Sequence, residues 1–199
     1  MTVTPESFFR AIWMTVLEPA EMARQAKGMR IGAEPLWTAL VLLAILNALL
    51  IVGDQYLSPV PAEMQAFSLG FSPFGWAALA VAYLIGSTLA IWKAGTFLYG
   101  SGNLEETLTL FVWFNTMRLV LLIIQMVLLF LSPALSGIFA LVSAIAVFRA
   151  FLHFVDVLHD FGSLLKAFGC IILSSLAVGA ALLILLTIIG VPALTGVSV

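Results

Sequence analysis

Five stretches of the chain are apolar for long enough to cross a lipid bilayer as α-helices, since a spanning helix needs roughly 20 mostly apolar residues. The stretch at 108–157 is long enough for two spans, and Ser132-Pro133 marks the turn between them, because proline lacks the N–H that a helix interior needs. The predicted spans are 36–57, 74–98, two helices within 108–157, and 165–189. The pattern predicts an all-α, polytopic membrane bundle of about five transmembrane helices.

The segment before the first span is more polar and predicts two short helices. Thr4 can cap the first helix with Pro5 at its first position, and Pro19 separates it from a second helix that ends before Gly28. Such a segment can lie in the headgroup plane or pack on the bundle, and the pattern favours neither. Four apolar residues of the first helix fall on one face at helical spacing: Phe9, Trp13, Val16 and Leu17.

Composition narrows the class of protein. Of the 199 residues, 63% are hydrophobic and 9% are charged, whereas soluble domains carry about 25% charged residues. The net charge of −2 makes nucleic acid an unexpected partner. Cys170 is the single cysteine, so no intrachain disulfide and no cysteine-cluster metal site can form. Lipid is the solvent that fits this chain.

The eight Lys and Arg residues predict how the chain is oriented. They lie before the first span, near the end of the second, within the third, and around the connection between the fourth and fifth. The loops at 58–72 and 132–137 carry none, and neither does the tail. Because Lys and Arg are enriched on the cytoplasmic side, we expect the N-terminus inside and the C-terminus outside. The predicted organisation is a cytoplasmic N-terminal segment (1–35), a five-helix transmembrane domain (36–191) and a short outer tail (192–199).

Polar residues within the third predicted span form a stripe. Asn115, Arg118 and Gln125 fall within an arc of about 80°, and Arg118 lies roughly 16 Å from the inner helix end. An arginine at that depth is costly unless it is paired or reaches the interface. With Arg149 at similar depth, Arg118 could form a basic pocket for an anionic lipid head group. The alternative is that each arginine reaches inward or bonds to backbone carbonyls and nearby amides.

A second polar stripe lies toward the end of the fourth predicted span. Arg149, His153, Asp156 and Asp160 share one helix face within about 60°, and His159 lies about 60° further round. Imidazole and carboxylate groups suit zinc or iron, but the spacing does not match HExxH. The favoured interpretation is pairing along the helix where it meets cytosolic water. We expect no catalytic set, no metal site and no cofactor.

The connection between the second and third spans contains Gly100-Ser101-Gly102, which predicts a tight turn. Asn103 and Glu106 have the spacing of a capping box for the next helix. A phosphate-binding loop is not indicated, because no GKS/T sequence and no preceding strand are present.

Two segments resemble the Yip1 family of five-span membrane proteins. Residues 99–108 (YGSGNLEETL) are similar to the family's G-G-x-G-x-x-x-x-T/S-L, and residues 154–161 (FVDVLHDF) resemble F-x-x-x-L-H-G-F of bacterial relatives. The chain departs from the family where Trp113 and Met117 replace a Tyr and a Pro, and where Asp160 replaces a common Gly. The resemblance implies the bacterial branch and a multi-pass protein of the bacterial inner membrane.

Three functions compete at this stage. The leading hypothesis is a non-enzymatic membrane protein that organises the bilayer or partner helices, in a trafficking-like role, through contact with anionic lipid, a second copy or another membrane protein. The alternative is a small oligomeric transporter or channel that uses the membrane-embedded polar stripe. A metalloenzyme using His153 and His159 is the third hypothesis and the least favoured.

Overall fold

A computed structural model describes residues 4–29, 31–57 and 72–188. These residues form seven helices and no strand, and five of the helices are long and apolar enough to span a membrane. The all-helical fold and the five candidate spans are therefore as predicted. The predicted tail at 192–199 and most of the loop at 58–72 lie outside the described residues. The helices are α1 (Pro5–Leu17), α2 (Pro19–Lys27), α3 (Ala33–Leu57), α4 (Pro73–Phe97), α5 (Leu104–Leu131), α6 (Pro133–His159) and α7 (Leu164–Ile188).

The predicted capping box at Asn103 and Glu106 sets the start of α5, four residues before the apolar stretch that begins at 108. The Glu106 backbone N–H donates to the Asn103 side-chain oxygen at 2.9 Å, and the Asn103 N–H donates to the Glu106 carboxylate at 3.1 Å. This reciprocal capping box satisfies two of the N–H groups that a helix start leaves free, so the helix extends back to Leu104.

A tight turn joins α5 to α6. Ser132 ends α5 in an extended conformation and caps α6, and Pro133 is the first residue of α6. The Ser136 hydroxyl donates back to the Gln125 carbonyl at 3.2 Å. These contacts confirm the predicted turn at Ser132-Pro133 and make the two helices antiparallel neighbours.

The five long helices form a ring, in which each contacts the next in the order α3, α4, α7, α6, α5 and back to α3. The short helix α2 lies against α6 and α5, and α1 lies beside α2 and α6. We call the end of the bundle that carries α2, the α4–α5 turn and the α6–α7 turn the α2 end. The end that carries the α5–α6 turn is the opposite end.

The N-terminal helices begin as the sequence predicts. The Ser7 N–H donates to the Thr4 hydroxyl at 3.3 Å at the start of α1, and Pro19 is the first residue of α2. The four apolar residues of this face of α1 have different surroundings, because Val16 packs on the core while Phe9 and Trp13 are exposed. Val16 follows Ile12 by one helical turn, and the bundle covers that side of α1.

Candidate functional site

Four of the eight predicted site residues lie in two regions. His159 and Asp160 lie at the α2 end, where they meet α2 and the α4–α5 turn. Asn115 and Arg118 lie beside a cavity in the interior of the ring. We call the first region the Asp160 cluster, and it consists of Lys27, Gly95, Gly100, Ser101, Gly102, His159 and Asp160.

Asp160 joins three parts of the chain. Its Oδ2 accepts from Lys27 Nζ at 2.8 Å and from the Ser101 hydroxyl at 2.5 Å. Hydrogen bonds from Lys27 and then Ser101 hold the pKa of the Asp160 carboxyl below its ordinary value. The backbone of Asp160 is left-handed, with φ 52° and ψ 39°, a conformation that glycine adopts freely and that aspartate tolerates. The Gly-to-Asp departure noted in the sequence is therefore compatible with this backbone.

Lys27 also closes the end of α6. Its Nζ donates to the Val157 carbonyl at 3.1 Å and to the Leu158 carbonyl at 3.0 Å, in addition to Asp160. The last carbonyls of a helix have no partner within the helix and carry its negative dipole end. An ammonium group from α2 therefore satisfies the end of α6 and fixes α2 to the bundle.

The imidazole of His159 is pressed between glycines. The residue is 1% exposed, and a Cβ on Gly95 would overlap its ring. A Cβ on Gly100 would lie 2.6 Å from the His159 Cβ, and a Cβ on Gly102 would lie 2.7 Å from the Leu158 carbonyl oxygen. Neither ring nitrogen has a hydrogen-bond partner within the part of the chain that the structure describes.

Asp156 and His153 do not belong to the Asp160 cluster. The Asp156 carboxylate accepts from the Ser163 backbone N–H at 2.9 Å, which holds the α6–α7 turn. His153 is half-buried one turn before Asp156. Over residues 4–29, 31–57 and 72–188, no three His, Cys, Asp or Glu side chains are grouped so that they could hold a metal ion. Although these side chains share one helix face as predicted, they do not converge on a common point. Asp156 and Asp160 bond to different neighbours.

Arg149 binds the N-terminal helix. Its two guanidinium nitrogens Nη1 and Nη2 donate to the Val16 and Leu17 carbonyls, each at 3.3 Å. Close by, Trp113 Nε1 donates to the buried Thr15 hydroxyl at 2.9 Å. Arg149 therefore bonds to backbone carbonyls, which is one of the two alternatives that the sequence left open.

Arg118 and Asn115 form the polar part of the cavity wall. Arg118 Nη1 donates to the Asn115 side-chain oxygen at 3.3 Å, and Asn115 is buried. Asn47 of α3 also lines the cavity. Gln125 lies two turns further along α5, and its described contact is the main-chain bond from Ser136. Of the predicted stripe, Asn115 and Arg118 line the same cavity and Gln125 does not. Arg149 does not line this cavity either.

Comparison with known proteins decides the family. The Yip1 domain matches residues 13–188, which is most of the chain. The chain belongs to the Yip1 family. A search of curated proteins and a search of solved structures each found no significant match. The match and the five long apolar helices together define an integral, multi-pass membrane protein in contact with the bilayer.

The two segments that resemble Yip1 proteins meet in the structure. The Ser101 backbone N–H donates to the His159 carbonyl at 3.1 Å, and the Ser101 hydroxyl reaches Asp160. In this Yip1 protein, the glycine turn and the L-H-D segment therefore form one joint between the α4–α5 and α6–α7 turns.

Sequence reasoning missed the third member of this joint. Lys27 reads as an ordinary cytosolic charge, and nothing in its local pattern links it to a residue 133 positions later. Gly95 packs against the side chain of His159 in this joint. The available signal was that both segments, 99–108 and 154–161, resemble Yip1 patterns.

Proposed function

We propose that this Yip1-family protein is a non-enzymatic organiser of the membrane, which acts through an N-terminal helix held at the surface of the bilayer. The observation that carries the proposal is the two-sided character of α1. Phe9, Trp13 and Leu17 are 59%, 62% and 49% exposed, while Ile12, Thr15 and Val16 are packed against the bundle. Membrane-surface helices present such a face to the acyl boundary.

The level of α1 along the bundle supports the proposal. α5 and α6 have 28 and 27 residues, which at ~1.5 Å per residue exceeds the ~30 Å hydrocarbon core by about 10 Å. If the surplus lies at the α2 end, the core boundary falls near residues 112 and 152. Trp113 and Arg149, the residues that bind α1, lie one and three residues to the core side of that level.

The contacts of the polar residues support a non-enzymatic role. Asp156, Asp160 and Arg149 each bond to a neighbouring turn or helix end, so each has a structural task. Lys27 and Arg24, also at the α2 end, fit the proposed cytosolic side, since basic residues concentrate there. Because the chain resembles the bacterial branch of the family, we also propose that it lies in the bacterial inner membrane.

The test compares vesicles that contain the full-length protein with vesicles that contain a variant with Phe9→Ser, Trp13→Ser and Leu17→Ser. We expect the wild type to shift the vesicle diameters measured by electron cryomicroscopy toward smaller values, and the variant to leave them as in protein-free vesicles. A matched control replaces three exposed apolar residues at the same end of the bundle, with Phe97→Ser, Tyr99→Ser and Leu165→Ser. Equal diameters for wild type and the α1 variant would rule out the proposal.

The effect of one α1 helix on the bilayer would increase if the protein self-associated or bound a second membrane protein. Large apolar residues of α6 such as Ile138, Leu141 and Ile145 are exposed and available for lipid or for another helix. Cross-linking in native membranes measures this directly, and a purely monomeric chain would remove the part of the proposal that concerns partners.

A small transporter is the second candidate, and the cavities favour it. The cavity beside Arg118 and a second cavity of about 180 Å³ share Tyr83 and Leu182 in their walls. The second cavity carries hydroxyl groups from Ser87, Ser174 and Ser175. Proteoliposomes that show no flux for a panel of ions and small solutes would eliminate this candidate.

A further inference from the structure

A cavity of about 240 Å³ lies between α3, α4 and α5, with Leu182 of α7 at its edge. Its volume is several times the ~30 Å³ that one water molecule occupies in the liquid. Most of its wall is apolar, and the side chains that decide its shape include Ala48, Ala80 and Leu84. A space of this size and lining suits part of an apolar ligand.

The cavity contains a charge that its own wall does not neutralise. Arg118 has one described hydrogen bond, to the Asn115 oxygen at 3.3 Å. Among the side chains that the structure describes, the two ion pairs are Arg24 with Glu21 and Lys27 with Asp160, so neither involves Arg118. A guanidinium has five N–H donors, which leaves donors available toward the cavity. An arginine inside a membrane segment is costly until an anion or acceptor meets it.

The amide groups beside Arg118 can supply further donors. The Asn115 and Asn47 side-chain nitrogens each donate to a carbonyl one turn earlier in their own helix, at 2.8 Å in both cases. Each amide nitrogen has two N–H groups, so one donor remains on each. The polar part of the wall can therefore surround an oxygen anion with an arginine and two amides.

The cavity is open on one side, so a hydrocarbon chain that is too long for it can extend outward. Ile51 and Tyr83 line it and expose 43% and 46% of their surfaces. A ligand head can lie at Arg118 while its tail continues along these exposed residues into lipid.

We propose that this cavity binds an amphiphile with one anionic oxygen group, a carboxylate or a phosphate, whose oxygens accept hydrogen bonds from Arg118. The apolar wall formed by α3 and α4 takes the start of the hydrocarbon chain. This site goes beyond the proposed action of α1, because the cavity lies inside the ring and α1 lies on its outer side. Binding at Arg118 and the effect of α1 on vesicle size are therefore separately measurable.

Native mass spectrometry of the full-length protein in mild detergent tests the site. The protein is titrated with oleate, with a phosphatidylglycerol, and with oleyl alcohol, which has the same chain as oleate and no charge. Arg118→Gln removes the charge, and Ala80→Phe fills the cavity while it keeps Arg118. Lys166→Gln is the matched charge control, because Lys166 lies at the exposed start of α7 and does not line the cavity. Thermal unfolding of every variant verifies that it is folded.

We expect a one-to-one adduct with an anionic amphiphile that Arg118→Gln weakens by roughly tenfold to a hundredfold, the range for one charge-assisted hydrogen bond. Ala80→Phe should weaken it as well, because the larger side chain takes the space of the hydrocarbon chain. Lys166→Gln should bind as the wild type does. Binding of oleate alone identifies a carboxylate, and binding of phosphatidylglycerol alone identifies a lipid phosphate. Equal binding of oleyl alcohol, or adducts that neither Arg118→Gln nor Ala80→Phe weakens, would overturn the proposal, as would no adduct at all.

Discussion

Lys27 of the Asp160 cluster is half-buried and Arg118 of the cavity wall is exposed, and the two cations have opposite surroundings. At the cluster, Lys27 donates to a carboxylate and two helix carbonyls, all within 3.1 Å. At the cavity, Arg118 has one amide oxygen at 3.3 Å and open space beside it. Three glycines leave no room for a Cβ beside His159 and Leu158, whereas the wall around Arg118 leaves about 240 Å³. The first region is built to hold helix ends together, and the second is built to leave room.

The largest expected effect comes from adding one methyl group at the cluster. Gly95→Ala places a Cβ on the His159 ring, and that ring is enclosed on all sides. We expect a loss of about 2 kcal/mol or more in unfolding free energy, the upper part of the range for overpacking. Gly86→Ala on the same helix is the control, because no atom lies within 4 Å of the added Cβ. Thermal unfolding in detergent should show Gly86→Ala unchanged or slightly stabilised, since alanine favours a helix.

A second substitution identifies the cause of that loss. In a His159→Ala background the ring is absent, so Gly95→Ala should cost little beyond the effect of His159→Ala itself. Additive losses in this double-mutant cycle would show that Gly95 is constrained by something other than His159.

The next largest effect concerns the cation of the cluster. Lys27→Met removes the ion pair with Asp160 and two bonds to the end of α6, and we expect a loss of about 1–2 kcal/mol. Arg24→Met is the control on the same helix, because the Arg24–Glu21 pair is exposed and such pairs contribute little. Equal unfolding temperatures for the two variants would contradict the role given to Lys27.

The sequence predicted well what depends on local chemistry. The five spans follow from hydrophobic length, the start of α5 from Asn103 and Glu106, and the turn before α6 from Ser132-Pro133. These features need no knowledge of distant residues, because hydrocarbon burial and capping act within one helix.

The sites depend on contacts between distant residues, and the sequence could not supply these. Arg118 and Arg149 looked equivalent because both lie at similar distances from helix ends, yet they face different helices. Asp160 and Lys27 are paired because α2 packs along α6, and helix packing is not encoded in local spacing.

A smaller effect distinguishes the charge of Asp160 from its backbone conformation. Asp160→Asn keeps a residue that tolerates the left-handed backbone and removes the carboxylate. Because folding lowers the pKa of Asp160, its contribution is complete above the ordinary carboxyl range near ~3.9 and is lost as the pH falls through the folded pKa. Unfolding temperatures should favour the wild type at neutral pH, begin to converge near ~pH 4, and meet only below the lowered pKa of the folded protein. A difference that persists in acid would assign the effect to something other than the charge.

The smallest expected effect is at the cavity, and it completes the contrast with Lys27. Arg118→Leu removes a single 3.3 Å hydrogen bond and a charge that no described carboxylate pairs with. Replacing an unneutralised membrane cation with an apolar residue should leave the unfolding temperature unchanged or raise it, measured without added anionic amphiphile. A loss as large as that of Lys27→Met would mean that Arg118 holds the helices together. An unchanged or higher unfolding temperature would mean that the fold does not need Arg118, and the amphiphile titration of Arg118→Gln then decides between a ligand contact and an arginine that reaches the interface.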